Sequence, residues 1–415
     1  MWGIFDSKID GANAASLTIR RSKAKMNKRF PGLLGTGEDV SRWSGKYVIG
    51  LTGNIATGKS VVRKMLESLG AYGIDADALS HRVIARGAPG YLPVLRLFGR
   101  WLLDDTDEID RARLGRLVFS DPLALSRLEG IIHPFVDQAV DLLIRRARHR
   151  VIVIEAIKLL ESGLASACDS LWSTFAPEPV QVQRLVDKRG MSQEEALQRI
   201  RLQPSQDEKI RKANVVIRNI GSAENTWKQV QQAWNQIPVT SAETPAAQVT
   251  VQGGFEILRG RPGDSAGIVA LIQRLAPGAE VPSIEQVRAE FGDKAFFLLK
   301  YNGSLVGMAA WQVENLVTRL TDLHLDPSVP MPEAVNALVR EVEKASQDLQ
   351  SEACLVFTRP QGNGWQAMWQ SLGYETRTPQ SLGIKAWEDA ARESMPEGNL
   401  MFFKQLRKDR ILRPI

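Results

Sequence analysis

Long apolar runs are missing from these 415 residues. No stretch reaches the roughly 18 consecutive apolar residues that a spanning helix needs, so no membrane partner is expected. Cysteine is scarce: Cys168 and Cys354 are the only two, and they lie far apart. That excludes a disulfide framework and makes a reducing cytoplasm the expected compartment. The four histidines, His81, His133, His149 and His324, have no close Cys or His spacing, which argues against a structural zinc site. Aromatic residues make up 7% and do not interleave with basic ones, so single-stranded nucleic-acid binding has no support. A one-signed charge excess is also lacking from most of the chain. Nine Lys and Arg against four Asp and Glu in residues 1–46 account for five of the six net positive charges. The remainder is nearly neutral, and no nucleic-acid partner is expected.

What is present is ordinary globular composition, 44% hydrophobic and 24% charged, in a chain long enough for two or three domains of ~100–200 residues each. Four parts can be read. Residues 1–45 form a basic tail around Arg20-Arg21-Ser22-Lys23-Ala24-Lys25 and Lys28-Arg29. Such a block reads as a solvated, disordered tail, with a weak anionic contact as the alternative. No apolar core follows its charges, so a secretory signal is not expected, and Asp6 and Asp10 argue against a mitochondrial-type presequence. Residues 46–237 alternate short apolar runs with amphipathic helical stretches, the pattern of a parallel α/β sheet. Residues 238–253, Pro-containing and small, read as a linker. Residues 254–415 read as mixed α/β with antiparallel pairs, including a hairpin turning at Asn302-Gly303. No internal repeat relates the second and fourth parts.

Within the second part, Tyr47 to Thr52 reads as a buried strand, and Val61, Val62, Met65, Leu66 and Leu69 share one helical face stopped by Gly70. Between them lies Gly53-Asn54-Ile55-Ala56-Thr57-Gly58-Lys59-Ser60, matching G-x-x-x-x-G-K-S. Strand, loop and helix in that order suit anion capture: successive backbone N–H groups converge and the helix N-terminus adds partial positive charge. Lys59 is then expected at the outer phosphates of a nucleotide, Ser60 on Mg²⁺, and the loop from Gly53 through Ser60, with Val61 after it, around the phosphates; GTPases, ATPases and small-molecule kinases all carry such a loop. No Asn-Lys-x-Asp guanine selector occurs. A second strand ends in Ile74-Asp75-Ala76-Asp77. Carboxylates at i and i+2 point the same way. One could orient a metal shell and the other accept a proton, or Asp77 could simply cap the next helix. Val151 to Ala156 reads as a third strand, buried on both faces. Ser192 with Glu195 forms a capping box opening a helix.

These motifs, together with Gly87-Ala88-Pro89-Gly90-Tyr91, Asp110-Arg111, Ile132-His133-Pro134, Leu159-Leu160-Glu161, Gln183-Arg184-Leu185 and Ile217-Arg218-Asn219-Ile220-Gly221, resemble the dephospho-CoA kinase family over about residues 47–236. The resemblance implies a P-loop kinase of three layers with a parallel sheet and a helical lid. It implies transfer of the ATP γ-phosphate to the ribose 3′-hydroxyl of dephospho-CoA, with Mg²⁺. It implies Asp77 as general base, Asp75 and Lys59 in support, His133 near the substrate, and Arg184, Lys188 and Arg199 on the lid. Three departures stand out. Asn54 and Ala56 replace loop glycines, and Ala56 matters if its position needs positive φ. Lys158 replaces an apolar residue and either faces the nucleotide or snorkels. Lys188-Arg189 replaces the usual Arg-Asp of the lid.

Residues of about 254–406 resemble, more faintly, the GNAT acetyltransferase fold, through the Asn302-Gly303 hairpin, the helix from about Pro332, the Cys354 strand and Leu372-Gly373-Tyr374. The stretch matching that fold's pyrophosphate loop, Asp326 to Glu333, has no glycine and three prolines. Proline lacks the N–H a phosphate cradle requires. A degenerate domain for packing, dimerisation or regulation is expected, with an altered acyltransferase or CoA sensor as the alternative. For the whole chain the competing functions are a kinase of another small hydroxyl substrate and a low-turnover nucleotide-binding scaffold. Oligomeric state is not legible.

Overall fold

Tyr47–Thr52 (β1) is apolar along its length because both of its faces are covered. Val48 packs with Tyr72, Ile74, Ile152 and Ile154 on one face, and Ile49 and Leu51 with Val151, Val153 and Trp172 on the other. The computed structural model describes residues 42–238, 250–252, 254–276, 280–359 and 364–408. The basic run at 20–29 and most of the stretch read as a linker lie outside the described residues.

The N-terminal unit continues with α1 (Lys59–Ser68), β2 (Tyr72–Asp75), α2 (Ala76–Arg82), α3 (Tyr91–Phe98), α4 (Arg111–Ser120) and α5 (Pro122–Arg146). Then come β3 (Val151–Glu155), β4 (Ser170–Phe175), α6 (Glu178–Arg189), α7 (Gln193–Arg201), α8 (Gln206–Lys212), β5 (Val215–Arg218) and α9 (Ala223–Trp234). The strands form one parallel sheet in the order β2-β3-β1-β4-β5. Helix α5 covers one face through Val136, Val140 and Leu143; α1 and α9 cover the other through Val62, Leu66, Val230 and Trp234. This is the three-layer arrangement expected from the alternation. Burying one such aliphatic side chain contributes about 1.5–3 kcal/mol. The carboxyl ends of β1, β2 and β3 lie together, where ligands bind in open parallel sheets.

The C-terminal unit holds β6 (Thr250–Gln252), β7 (Phe255–Arg259), α10 (Ser265–Leu275), α11 (Ile284–Glu290), β8 (Ala295–Tyr301), β9 (Ser304–Glu314) and β10 (Val317–Leu325). It closes with α12 (Met331–Asp348), β11 (Ala353–Thr358), α13 (Trp365–Ser371), β12 (Glu375–Thr376), α14 (Lys385–Ser394) and β13 (Leu400–Gln405). Its eight-stranded sheet runs β12-β13-β11-β10-β9-β8-β7-β6. All pairs are antiparallel except β10–β11, which α12 connects as a crossover. The β10–β11 pairing stops at Leu320↔Val356, next to a bulge between Leu320 and Asp322, so the strands part beyond that point. Strand β6 lies inside the stretch read as linker: Thr250 and Val251 pair with Ile257 and Glu256 of β7. No helix among the described residues is long and apolar enough to cross a membrane.

Candidate functional site

The loop after β1 turns sharply because three residues take left-handed or otherwise positive φ: Gly53 at 153°, Ala56 at 57° and Gly58 at 92°. The two glycines are required by space as well. A Cβ on Gly53 would lie 2.2 Å from Thr174 Oγ1, and one on Gly58 1.9 Å from Asn219 Nδ2. Ala56 therefore does occupy a position needing positive φ, and its methyl joins Ile55 in packing on Leu185, Ala196 and Ile200 of α6 and α7. Neighbours fix the loop from several sides. Asn54 Nδ2 donates to Pro204 O (2.8 Å), Ile55 N–H to Gln203 Oε1 (2.7 Å) and Asn219 Nδ2 to Thr57 O (3.1 Å). Thr57 Oγ1 donates to Asn54 O (2.8 Å) and lies 2.7 Å from Thr174 Oγ1. Helix α1 then starts with no side chain capping it, and its first intrahelical bond is Val62 N–H to Gly58 O. Its leading N–H groups are left for an anion.

Three carboxylates face this loop. Glu155, at the end of β3, is buried; Ser60 Oγ donates to its Oε1 (2.8 Å) and Arg63 Nε to its Oε2 (2.7 Å). Asp75 caps α2, its Oδ1 accepting Ala78 N–H at 2.8 Å. The capping alternative for Asp77 is thereby corrected: the preceding aspartate does that work, and Asp77 sits in the first turn with Oδ2 accepting Ile157 N–H at 3.0 Å. Burial pushes the Asp75 carboxyl up to about 6, with the Glu155 charge adding to the effect. Burial also raises Asp77, against the Ile157 N–H and the Lys59 charge, which pull it down. Lys59 is buried, with Nζ 3.3 Å from Asn54 O; burial lowers its pKa while Glu155, Asp77 and Asp75 oppose the shift. Lys209, also buried, donates Nζ to Ile157 O at 2.9 Å. Its charge is felt at Asp77, and burial lowers its own pKa.

The lid stretch reaches the loop through one of its three expected cations. Arg184 on α6 donates Nη1 to Ala56 O (3.0 Å) and Nη2 to Asn219 O (3.0 Å). Lys188 and Arg199 are exposed on α6 and α7, and His133 is exposed on α5; among the described residues no hydrogen bond joins them to the loop. Arg189, by contrast, is near enough to Lys59 to act on its charge. Lys158 is more than half exposed and its Nζ pairs with Glu129 of α5 at 2.6 Å, which agrees with the snorkelling alternative and brings no hydrogen bond to the loop among the described residues. Glu155, Lys209 and Gln203 were not singled out by motif reading. A signal for Glu155 existed, a lone acid closing the apolar run Val151–Ile154. Lys209 had none, since Gln206–Lys212 looks like a solvated helix.

At the other sheet, the Asp326–Pro330 loop satisfies its own donors. Asp326 Oδ1 accepts both Ser328 N–H (3.0 Å) and Ser328 Oγ–H (2.6 Å), placing a carboxylate where a phosphate cradle would need free N–H groups. An open cavity of about 640 Å³ between the two units is lined by both signs of charge, including Arg86, Glu108, Arg111, Lys385 and Glu388.

A family model described as dephospho-CoA kinase matches residues 47–225. A dephospho-CoA kinase of Carboxydothermus hydrogenoformans is 39% identical over 186 residues, spanning 44% of this chain and 90% of the relative. A solved structure of TT1252 from Thermus thermophilus is 33% identical with TM-score 0.42, covering 46% of this chain and 96% of that one. An acetyltransferase of the GNAT family from Staphylococcus aureus Mu50 is 12% identical with TM-score 0.30, covering 37% of this chain and 99% of the other.

Proposed function

We propose a division of labour in this site from one premise: the chain belongs to the dephospho-CoA kinase family. It phosphorylates the ribose 3′-hydroxyl of dephospho-CoA with ATP, giving CoA and ADP, the last step of CoA synthesis. The observation that carries the assignment of roles is the convergence of Asp77, Lys59 and the uncapped start of α1 at one end of the sheet. The α1 N–H groups and Lys59 hold the phosphates of ATP. Asp77 accepts the proton of the acceptor hydroxyl, and burial, which raises its pKa, makes it a stronger base than a solvated carboxylate. Arg184, already bridging the loop to the lid, and Arg189, Lys188 and Arg199 beside it supply positive charge as the lid closes and water is excluded. His133, exposed on α5, is assigned to the acceptor side on the family resemblance alone.

Magnesium fits the donors present. Ser60 Oγ hydrogen-bonds Glu155, and Asp75 and Glu155 lie close enough to repel. Magnesium in such a site is bound chiefly by phosphate oxygens and water. Ser60 would ligate it directly and the carboxylates would hold its water shell; when bound, it neutralises phosphate charge. Residues 46–237 are the kinase domain and 254–415, with the strand at Thr250–Gln252, a second domain. The Asp326 loop supports a second domain without acetyl transfer; acetyl-CoA consumption by the full chain with a panel of amines would overturn that.

The kinase roles are tested by coupled ADP release with MgATP and dephospho-CoA. Asp77→Asn is expected to lower kcat by about 10²–10⁴-fold with ATP binding retained. Undiminished turnover in that variant would remove Asp77 from the role of base.

A further inference from the structure

The surface between the two units includes both helices that leave the phosphotransfer site. On α1, Lys64 is buried and its Nζ donates to Asp293 O (2.6 Å), Gln312 Oε1 (3.3 Å) and Glu314 Oε1 (3.2 Å). One residue earlier Arg63 binds Glu155, so adjacent side chains tie the same helical turn to the site's carboxylate and to the C-terminal unit. The end of α1 is held too, Glu67 O accepting Arg259 Nη2 at 2.9 Å. Helix α2 starts beside Asp77 and ends at Arg82, whose Nη1 donates to Asn315 O (2.7 Å) and Nη2 to Glu352 Oε2 (2.7 Å). That pair is dry: Arg82 is 5% exposed and Glu352 0%.

One hairpin serves both helices. Strand β9 carries Gln312 and Glu314, and its turn to β10 is Asn315-Leu316, both with left-handed φ of 51° and 61°. The turn presents the Asn315 carbonyl to Arg82 and places Leu316 in the apolar cluster of the N-terminal unit, with Val83 and Ile84 among its members. Glu352 N–H donates to Leu316 O at 2.7 Å, fixing the partner carboxylate to the same turn.

We infer that this hairpin tip is a positioning device for phosphotransfer, resting on the kinase reading above. Lys64 with Glu314 and Arg82 with Glu352 fix α1 against α2, and thereby Lys59 and Ser60 against Asp77. None of the four touches the reacting atoms. Their leverage is geometric. Asp77 lies five residues from Arg82, roughly 7 Å of helix at 1.5 Å per residue. Removing one partner of a buried pair leaves an uncompensated charge that destabilises the packed arrangement around it, and a misplacement of about 1 Å can cost 10²-fold in rate.

The test uses the full chain with Glu352→Gln and Glu314→Gln, and the charge exchange Arg82→Glu with Glu352→Arg. Thermal midpoint and near-ultraviolet circular dichroism report folding; kcat and both KM values report the site. The expected result is a kcat lowered by about 10- to 100-fold in folded Glu352→Gln, KM values changing far less, and partial recovery of kcat in the exchange. If Glu352→Gln does not fold, Glu314→Gln decides, because its carboxylate is partly exposed and Arg319, its other partner, keeps its pair with Glu393. Unchanged kcat in folded variants, or loss only in proportion to the folded fraction, overturns the inference. If the unmodified chain shows no dephospho-CoA-dependent turnover, the kinase reading falls first and takes this inference with it.

Discussion

Ala56 shows how one departure can be both strained and used. An alanine in the left-handed region costs about 1–2 kcal/mol relative to the right-handed one, yet its methyl packs against the lid cluster. Ala56→Gly should therefore stabilise the chain by about 0.5–1 kcal/mol, read as a higher thermal midpoint; a lower midpoint would mean that the methyl contact outweighs the strain. Asp75 is the second case. Its carboxyl is raised from 3.8 to about 6, so the folded state holds this proton more tightly than the unfolded state does. Stability from that difference is fully present below the unfolded value and is lost as pH rises through about 6. Asp75→Asn keeps a capping side chain and cannot ionise. It should raise the midpoint at pH 8, on the order of 1 kcal/mol, with the gain shrinking towards pH 5. An equal gain at both pH values would rule out ionisation as the cause. Activity should move the other way, because Asp75 lies with Glu155 in the carboxylate set facing the loop.

Elements whose signals are local were legible in sequence. Strands β1 and β3, the loop-to-α1 turn, the Ser192–Glu195 capping box and the Asn302-Gly303 hairpin each depend on residues a few positions apart. Elements that owe their place to distant partners were not. Strand β6 is three residues long and exists by pairing with β7. Glu155 and Lys209 matter because β3 ends beside Ser60 and the middle of α8 lies against Ile157 and Asp77. His133 and Pro134 are motif residues that prove to lie mid-way along the 25-residue α5. On the lid, the dual contact of Arg184 with Ala56 O and Asn219 O couples α6 to the loop directly. Arg184→Ala should lower kcat with dephospho-CoA by about tenfold or more and raise the share of ATP lost to water, because closure excludes solvent less well. ADP release in excess of CoA formed measures that share; an unchanged ratio would confine Arg184 to a structural tie.

At the scale of the whole molecule, two folds were legible in the sequence, although β6 falls in the stretch read as linker, and the contacts between them were not. The stretch between them reads as a small, polar, Pro-containing linker. Among the described residues the two units meet through charges widely separated along the chain: Lys64 with Glu314, Arg82 with Glu352, and Arg288 with Glu224 at 3.5 Å. A buried ion pair is weak evidence for stability but strongly resists loss of one partner, and Leu316 adds apolar contact at the same turn. Two units held this way should open together. A ligand that binds only the folded N-terminal unit at a hundred times its Kd stabilises that unit by about 2.7 kcal/mol. If the junction transmits it, amides of the β10–β11 pairing, Val317 to Leu320 and Ala353 to Val356, gain protection from exchange when ATP is added, although they lie in the other sheet. If the units open independently, protection rises in β1, β3 and α1 and leaves β10 and β11 unchanged. Hydrogen exchange with and without MgATP separates the two outcomes, and Glu352→Gln should convert the first pattern into the second.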